Sequence, residues 1–154
     1  MIAILHNIRS LHNVGSILRT ADGAGIKKVY LCGFTPSPLD QFNKVRPQLA
    51  KVALGAEKMV AWEKYGQASR LITKLKKENY DIIALEINNQ SVPYYKIKKT
   101  KKKTALVVGH EVKGLPQSVL TKCDKIVEIP MKGQKTSLNV SVAFGIVAFS
   151  LQQK

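Results

Sequence analysis

Acidic residues are scarce: ten Asp and Glu stand against 25 Lys and Arg, a formal net charge of +15 over 154 residues. That imbalance excludes an acidic surface and points to a polyanionic partner, although charge alone does not name the polyanion. Arginine is rarer still, supplying only four of the 25 basic residues. Two cysteines, Cys32 and Cys123, are too few for a disulfide framework and lack zinc-like spacing, so both read as small core residues in a reduced cytoplasm. No apolar run approaches the roughly 18–20 residues of a membrane span. The opening MIAILHNIRS has no basic segment ahead of its short apolar stretch, so it is not read as a signal peptide. Internal repeats and Pro/Gly/Ser-rich linkers are missing too. A composition 45% hydrophobic and 23% charged excludes wholesale disorder. The expectation is one soluble, cytoplasmic domain spanning residues 1–154.

Short apolar runs alternate with helix-like segments. Ile2–His6, Lys28–Phe34, Met59–Glu63, Asp81–Ile87, Thr104–Gly109 and Lys125–Ile129 are rich in Ile, Val and Leu, and their two-sided apolarity predicts buried parallel strands. Helices are expected over Asn13–Ala24, about Tyr65–Glu78, a short piece after Pro116, and Leu138–Leu151. The alternation predicts an α/β fold, a parallel sheet with helices on both faces, in which ligands bind beyond the carboxyl ends of the strands.

In the first helix, Val14, Ile17, Leu18 and Ala21 form a core-facing stripe at i, i+3, i+4 and i+7, with Asn13 as the expected N-cap. Gly15, Arg19 and Asp22 share another flank. Arg19 reads either as a solvated charge paired with Asp22 or as a functional group. The last helix has almost no polar face, so it needs cover on more than one side, from a central core or from a second subunit. Lys96–Lys103 holds six lysines in eight residues: a solvated edge, or a patch that follows a phosphate backbone without reading sequence. Because the run precedes a strand, it is expected at the sheet end opposite the Gly109 loop.

Three strand-end segments carry the residue types that chemistry needs. Asn7–Arg9 leads into Asn13–Arg19; Gly109-His-Glu-Val-Lys-Gly114-Leu115 has two glycines that permit close backbone approach; Ile129-Pro-Met-Lys-Gly133 is followed by Ser137-Leu-Asn139 at a helix start. None matches a P-loop or a dinucleotide-binding glycine pattern, His6, His12 and His110 are dispersed without metal-ligand spacing, and Ser137 lacks a nucleophile elbow.

Together, in this order, the segments Asn13-Val-Gly-Ser-Ile-Leu-Arg19-Thr-Ala-Asp22, Val107-Val-Gly-His-Glu111-Val-Lys-Gly114-Leu, and Ile129-Pro-Met-Lys-Gly133 with Ser137-Leu-Asn139-Val-Ser-Val-Ala resemble the three motifs of the SpoU family. These are RNA ribose 2′-O-methyltransferases of the SPOUT superfamily, and the likeness runs from Ile2 to Leu151. It is to the minimal form, without the N-terminal RNA-binding domain that many relatives carry. The resemblance implies a C-terminal trefoil knot, S-adenosyl-L-methionine bound there, no metal, no membrane, a homodimer packed partly through the last helix, and tRNA or rRNA as substrate, with tRNA slightly favoured. A knotted enzyme methylating an RNA base, and a non-catalytic RNA-binding protein, are the other readings.

By the same resemblance, Arg19, Asn13, Glu111, Ser137 and Asn139 are the catalytic candidates, and Leu85, Glu86, Gly109, Ile129, Met131 and Leu138 the cofactor-binding ones. Arg9, Arg19, Lys96, Lys98, Lys99, Lys101, Lys102 and Lys103 are candidates for RNA. Two departures stand out: His110 where the family usually has Asn, and Thr136 where it often has Glu. In this family an Arg is credited as general base, yet a guanidinium has a pKa above about 12. Arg19 is therefore expected to act mainly by electrostatics, with deprotonation completed by phosphate, water or Glu111.

Overall fold

The computed structural model describes residues 1–98 and 101–153. Its strands are β1 (Ile2–His6), β2 (Lys28–Cys32), β3 (Ala61–Tyr65), β4 (Tyr80–Leu85), β5 (Val92–Pro93), β6 (Lys103–Val108) and β7 (Lys125–Glu128). All pair in parallel, in the order β3-β2-β1-β6-β4-β7-β5. The helices are α1 (Leu11–Gly23), α2 (Pro47–Ala53), α3 (Ala56–Met59), α4 (Ala68–Lys77), α5 (Gln117–Leu120) and α6 (Val140–Gln153), with a 3₁₀ turn at Tyr94–Lys96.

Strand alternation divides the core between the two sheet faces. Ala3, Leu5, Leu106 and Val108 join α1 and α6 on one face; Ile2, Ile4, Ala105 and Val107 join α4 and α5 on the other. This is the expected two-sided burial of a parallel sheet. Val14, Ile17, Leu18 and Ala21 of α1 are fully buried, and each large aliphatic side chain so placed contributes roughly 1.5–3 kcal/mol. In α4, Ala68, Leu71, Ile72 and Leu75 form the equivalent stripe, while Lys74, Lys76 and Lys77 crowd its last turn, where cations suit the helix dipole.

The six expected strands are present, with shifted ends. β2 stops at Cys32 because Gly33 turns the chain at φ +60°, and β3 starts at Ala61 because Met59 closes α3. Asn13 is not the N-cap of α1. The helix starts earlier, Ser10 caps it by accepting from the Asn13 N–H (3.2 Å), and Asn13 itself is buried. Helices α2 and α3 were not expected: Pro47 opens α2, and the left-handed pair Leu54 (φ +51°) and Gly55 (φ +92°) separates it from α3. Gly15 is the glycine through which α1 meets α2, since a Cβ there would lie 2.6 Å from the Leu49 carbonyl oxygen.

β6 lies between β1 and β4, both of which precede it in the chain. This brings the loops after β1, β6, β4 and β7 together at one end of the sheet, where a ligand crevice of an open α/β sheet is found.

Candidate active site

A pocket at that end is bounded by the loops after β4, β6 and β7 and by the start of α6. Leu85, Glu86, Gly109, Ile129, Met131 and Leu138 all line it, as do Glu111 and Ser137. The walls are mixed: Leu85, Ile129, Met131 and Leu138 are apolar, and Glu86 and Ser137 supply polar groups.

Beside the pocket, the three segments distant in sequence are tied by one chain of hydrogen bonds. The Asn139 amide Nδ2 donates to Asn13 Oδ1 (3.1 Å), and Asn13 Nδ2 donates to Glu111 Oε1 (3.0 Å). Glu111 also accepts from the backbone N–H groups of Ser10 (Oε1, 3.0 Å) and Arg9 (Oε2, 3.0 Å). At the far end, Asn139 Oδ1 accepts from the Ser141 N–H (2.9 Å), so Asn139 also caps α6. Buried Asn13 thus has both amide atoms engaged, one on each neighbour.

Burial pushes the Glu111 carboxyl up, but the N–H groups of Ser10 and Arg9 and the Asn13 amide outweigh it and hold the pKa at about 2. Such a carboxylate is a weak base, so the expectation that Glu111 completes deprotonation is not supported by this geometry. Its place at the N-terminus of α1 suits a fixed anion instead. Because the folded pKa is depressed, the stabilisation from Glu111 is complete above its ordinary range near 4.5 and is lost as pH falls toward 2. Glu111→Gln keeps an acceptor but loses the charge, and is expected to cost about 1–3 kcal/mol and to flatten that acid-side loss, as measured by urea unfolding at pH 7 and pH 3.

The second loop is shaped by its glycines and by Glu86. Glu86 accepts from the Leu115 N–H (2.7 Å) and from the Ile87 N–H (2.9 Å). Gly114, at φ +64°, takes a left-handed conformation that strains any other residue, and packs against this carboxylate, which a Cβ would have to displace. His110 explains its own departure from the family pattern: its Nδ1 accepts from the Val112 and Lys113 N–H groups (3.0 and 3.3 Å), bonds that an Asn side-chain oxygen at this position could accept.

Arg19 lies elsewhere. It is exposed on α1 and, with Arg9, His12, Gln48 and Lys51, lines a shallow groove between α1 and α2. Among the described residues it has no ion pair with Asp22. Within one chain, therefore, the structure brings Asn13, Glu111, Ser137 and Asn139 to the pocket or its edge but does not place Arg19 among the pocket's lining residues. Gly15 is covered by α2, so it does not open a path to phosphate beside Arg19.

Residues 1–149 match the SpoU rRNA Methylase family. The chain belongs to this family. Relatives include the 23S rRNA (guanosine-2′-O-)-methyltransferase RlmB of Coxiella burnetii, 32% identical over all of this chain and 58% of that protein. The tRNA (guanosine(18)-2′-O)-methyltransferase of Aquifex aeolicus is 30% identical over all of this chain and 69% of that one. Among solved structures, the AdoMet-bound rRNA methyltransferase from Sinorhizobium meliloti superposes with a TM-score of 0.89 at 26% identity, covering 99% of this chain and 55% of that one. The chain thus spans between about half and two thirds of these relatives' lengths.

The candidate RNA-binding residues lie in more than one place. Lys101, Lys102 and Lys103 are exposed at the amino end of β6, the opposite end of the sheet from Gly109. Lys103 Nζ lies 5.6 Å from the centre of the Tyr80 ring; Lys96 and Lys98 are exposed, Lys96 ending the 3₁₀ turn after β5, and Lys99 lies outside the described residues. Arg9 and Arg19 sit with Lys51 on the groove beside α1. Sequence reasoning missed Lys51, Gln48 and His12 as groove residues, because two of them depend on α2, whose seven residues are too few to show a helical period. The proline at its start and the left-handed turn at its end were the available signals.

Proposed function

We propose that this chain transfers a methyl group from S-adenosyl-L-methionine to a ribose 2′-OH of structured RNA, acting as a single SpoU-type domain in the cytoplasm. The carrying observation is the hydrogen-bonded chain Asn139–Asn13–Glu111, which joins all three motifs at the rim of one pocket. The names of the relatives supply the reaction class and both RNA types, rRNA and tRNA.

The pocket fits such a cofactor. Leu85, Ile129, Met131 and Leu138 would flank the adenine, Gly109 leaves backbone within reach, and Glu86 and Ser137 provide polar contacts. When bound, the cofactor supplies a methyl group already activated on sulfur. The protein must then orient the hydroxyl and stabilise charge as its proton leaves. Glu111, Asn13 and Asn139 act as positioning residues, since their polar atoms hold one another and the starts of α1 and α6. Arg19, which stays cationic, holds an RNA phosphate and the developing negative charge on the 2′ oxygen, and phosphate or water takes the proton.

A homodimer accounts for the position of Arg19. Leu138, Val142, Ile146 and Phe149 make an exposed apolar stripe along α6, 37–51% accessible, beside the face that packs on α1. A second copy covering this stripe would bring its own α1 near the pocket, so Arg19 of one subunit serves the pocket of the other. The same reading takes the insertion of β6 between two earlier strands, with α6 folded back over β4 and β6, as a trefoil knot.

Incubating the protein with methyl-labelled S-adenosylmethionine and bulk cellular RNA tests the assignment: label in RNA supports methyl transfer, and its absence from every RNA fraction refutes it. Replacing Lys101, Lys102 and Lys103 by alanine is expected to raise the RNA KM several-fold with kcat within about twofold, and to lower the slope of log affinity against log salt by about 2, at roughly 0.7–0.9 per phosphate contact. An unchanged salt slope would remove these lysines from the RNA interface.

A further inference from the structure

Phe34 is 58% exposed, two residues after the end of β2, with its ring against that of the pocket residue His110. A single exposed aromatic is unremarkable on a protein surface. Its mounting is what distinguishes this one. Its N–H donates to Asn7 Oδ1 (3.2 Å), with Asn7 (φ +57°) and Gly33 (φ +60°) both in left-handed backbone and Gly33 packed against the Asn7 amide. The next residue, fully buried Thr35, donates from its hydroxyl to the Leu5 carbonyl and accepts from the Ile8 N–H, both at 3.0 Å. Lys64 Nζ closes the mount by donating to the Gly33 and Thr35 carbonyls. The ring packs in a T-shaped pair with His110, a pocket residue, at 6.0 Å between centroids and 82° between planes.

We infer that Phe34, braced by His110, is a stacking ledge for a nucleobase of the RNA, that of the methylated nucleotide or its immediate neighbour. The inference rests on the methyltransferase reading and adds a base-contacting residue that the three motifs do not contain. An RNA nucleotide whose 2′-OH enters the pocket must leave its helical stack, and an aromatic face within one nucleotide's reach replaces the lost stacking. A rigid mount suits this role, because a ring already held in place loses little freedom when a base lands on it. Exposed Arg9 and Lys113, flanking the same loops, supply the charge that such a strand requires.

Two readouts test the ledge. With bulk RNA as substrate, Phe34→Ala is expected to lower kcat/KM by about 5- to 150-fold, the range for loss of one aromatic–base stack. Phe34→Trp should restore most of it and Phe34→Leu should not, while calorimetric binding of S-adenosylmethionine stays unchanged in all three. Independently, a short single-stranded RNA carrying 2-aminopurine should be quenched by the wild-type protein and not by Phe34→Ala. Equal quenching by both proteins, no quenching by the wild type, or rescue by leucine overturns the ledge. A wild-type protein that quenches through Phe34 yet methylates no RNA supports the ledge and refutes the enzymatic reading on which its purpose rests.

Discussion

Arg19→Ala is expected to lower kcat for RNA methylation by about 10²–10³-fold, the cost of removing one preorganised group that meets developing negative charge, with cofactor affinity unaltered. Cofactor affinity is spared because Arg19 is not among the residues lining the pocket. Arg19→Lys keeps a cation but not the planar fork that grips phosphate at two points, so it recovers only part of the rate. The separation of Arg19 from the pocket gives the prediction a sharper form. In mixed dimers of Arg19→Ala with Met131→Arg, which fills the pocket of its own chain, one complete site forms if Arg19 works across the dimer. Activity then reappears when two inactive proteins are unfolded and refolded together. Without such recovery, Arg19 must serve its own chain.

Gly109→Ala has the second large effect, on folding and cofactor binding together. A Cβ at Gly109 would lie 2.6 Å from the Gly114 carbonyl carbon, 2.7 Å from its oxygen and 2.8 Å from Leu115 Cγ. The opposing backbone cannot retreat freely, since the Gly114 N–H donates to the His110 carbonyl (2.9 Å) and Glu86 holds the Leu115 N–H. Overpacking of this kind costs about 1–3 kcal/mol, which for a chain of this size lowers Tm by roughly 2–12 °C. Calorimetric binding of S-adenosylmethionine should fall at least tenfold. Gly133, in the third motif, is the control: a Cβ there meets nothing within 4 Å, so Gly133→Ala should leave Tm within about 1 °C.

The layer order of the fold was legible because buried parallel strands have a plain signature, and the stripe of Val14, Ile17, Leu18 and Ala21 needs only helical geometry. The order of the strands was not, since nothing local to Thr104–Val108 says that it inserts between β1 and β4. Eight pocket residues were named from the family resemblance, which carries three-dimensional information that spacing lacks. What motif reading could not supply was the division of labour. Glu111 looks like a candidate base until the donors from Arg9, Ser10 and Asn13 are seen around it. Asn13 looks like a helix cap until Ser10 takes that place. Gly15 looks like an opening beside Arg19, yet its missing side chain is filled by the backbone of α2. The surroundings of Glu111 and Gly15 depend on partners far away in sequence, as does the bracing of Phe34 by His110, whereas the cap is decided by a residue only three positions before Asn13.

The proposed acceptor of the methyl group is a ribose 2′ oxygen. A 2′-O-methyl group removes the hydroxyl that alkali uses to cleave the adjacent phosphodiester, whereas a methylated base leaves that hydroxyl free. RNA labelled by the protein from methyl-labelled S-adenosylmethionine should therefore release its label after complete alkaline hydrolysis as alkali-stable dinucleotides. Label recovered only in mononucleotides would place the methyl group on a base and contradict the account.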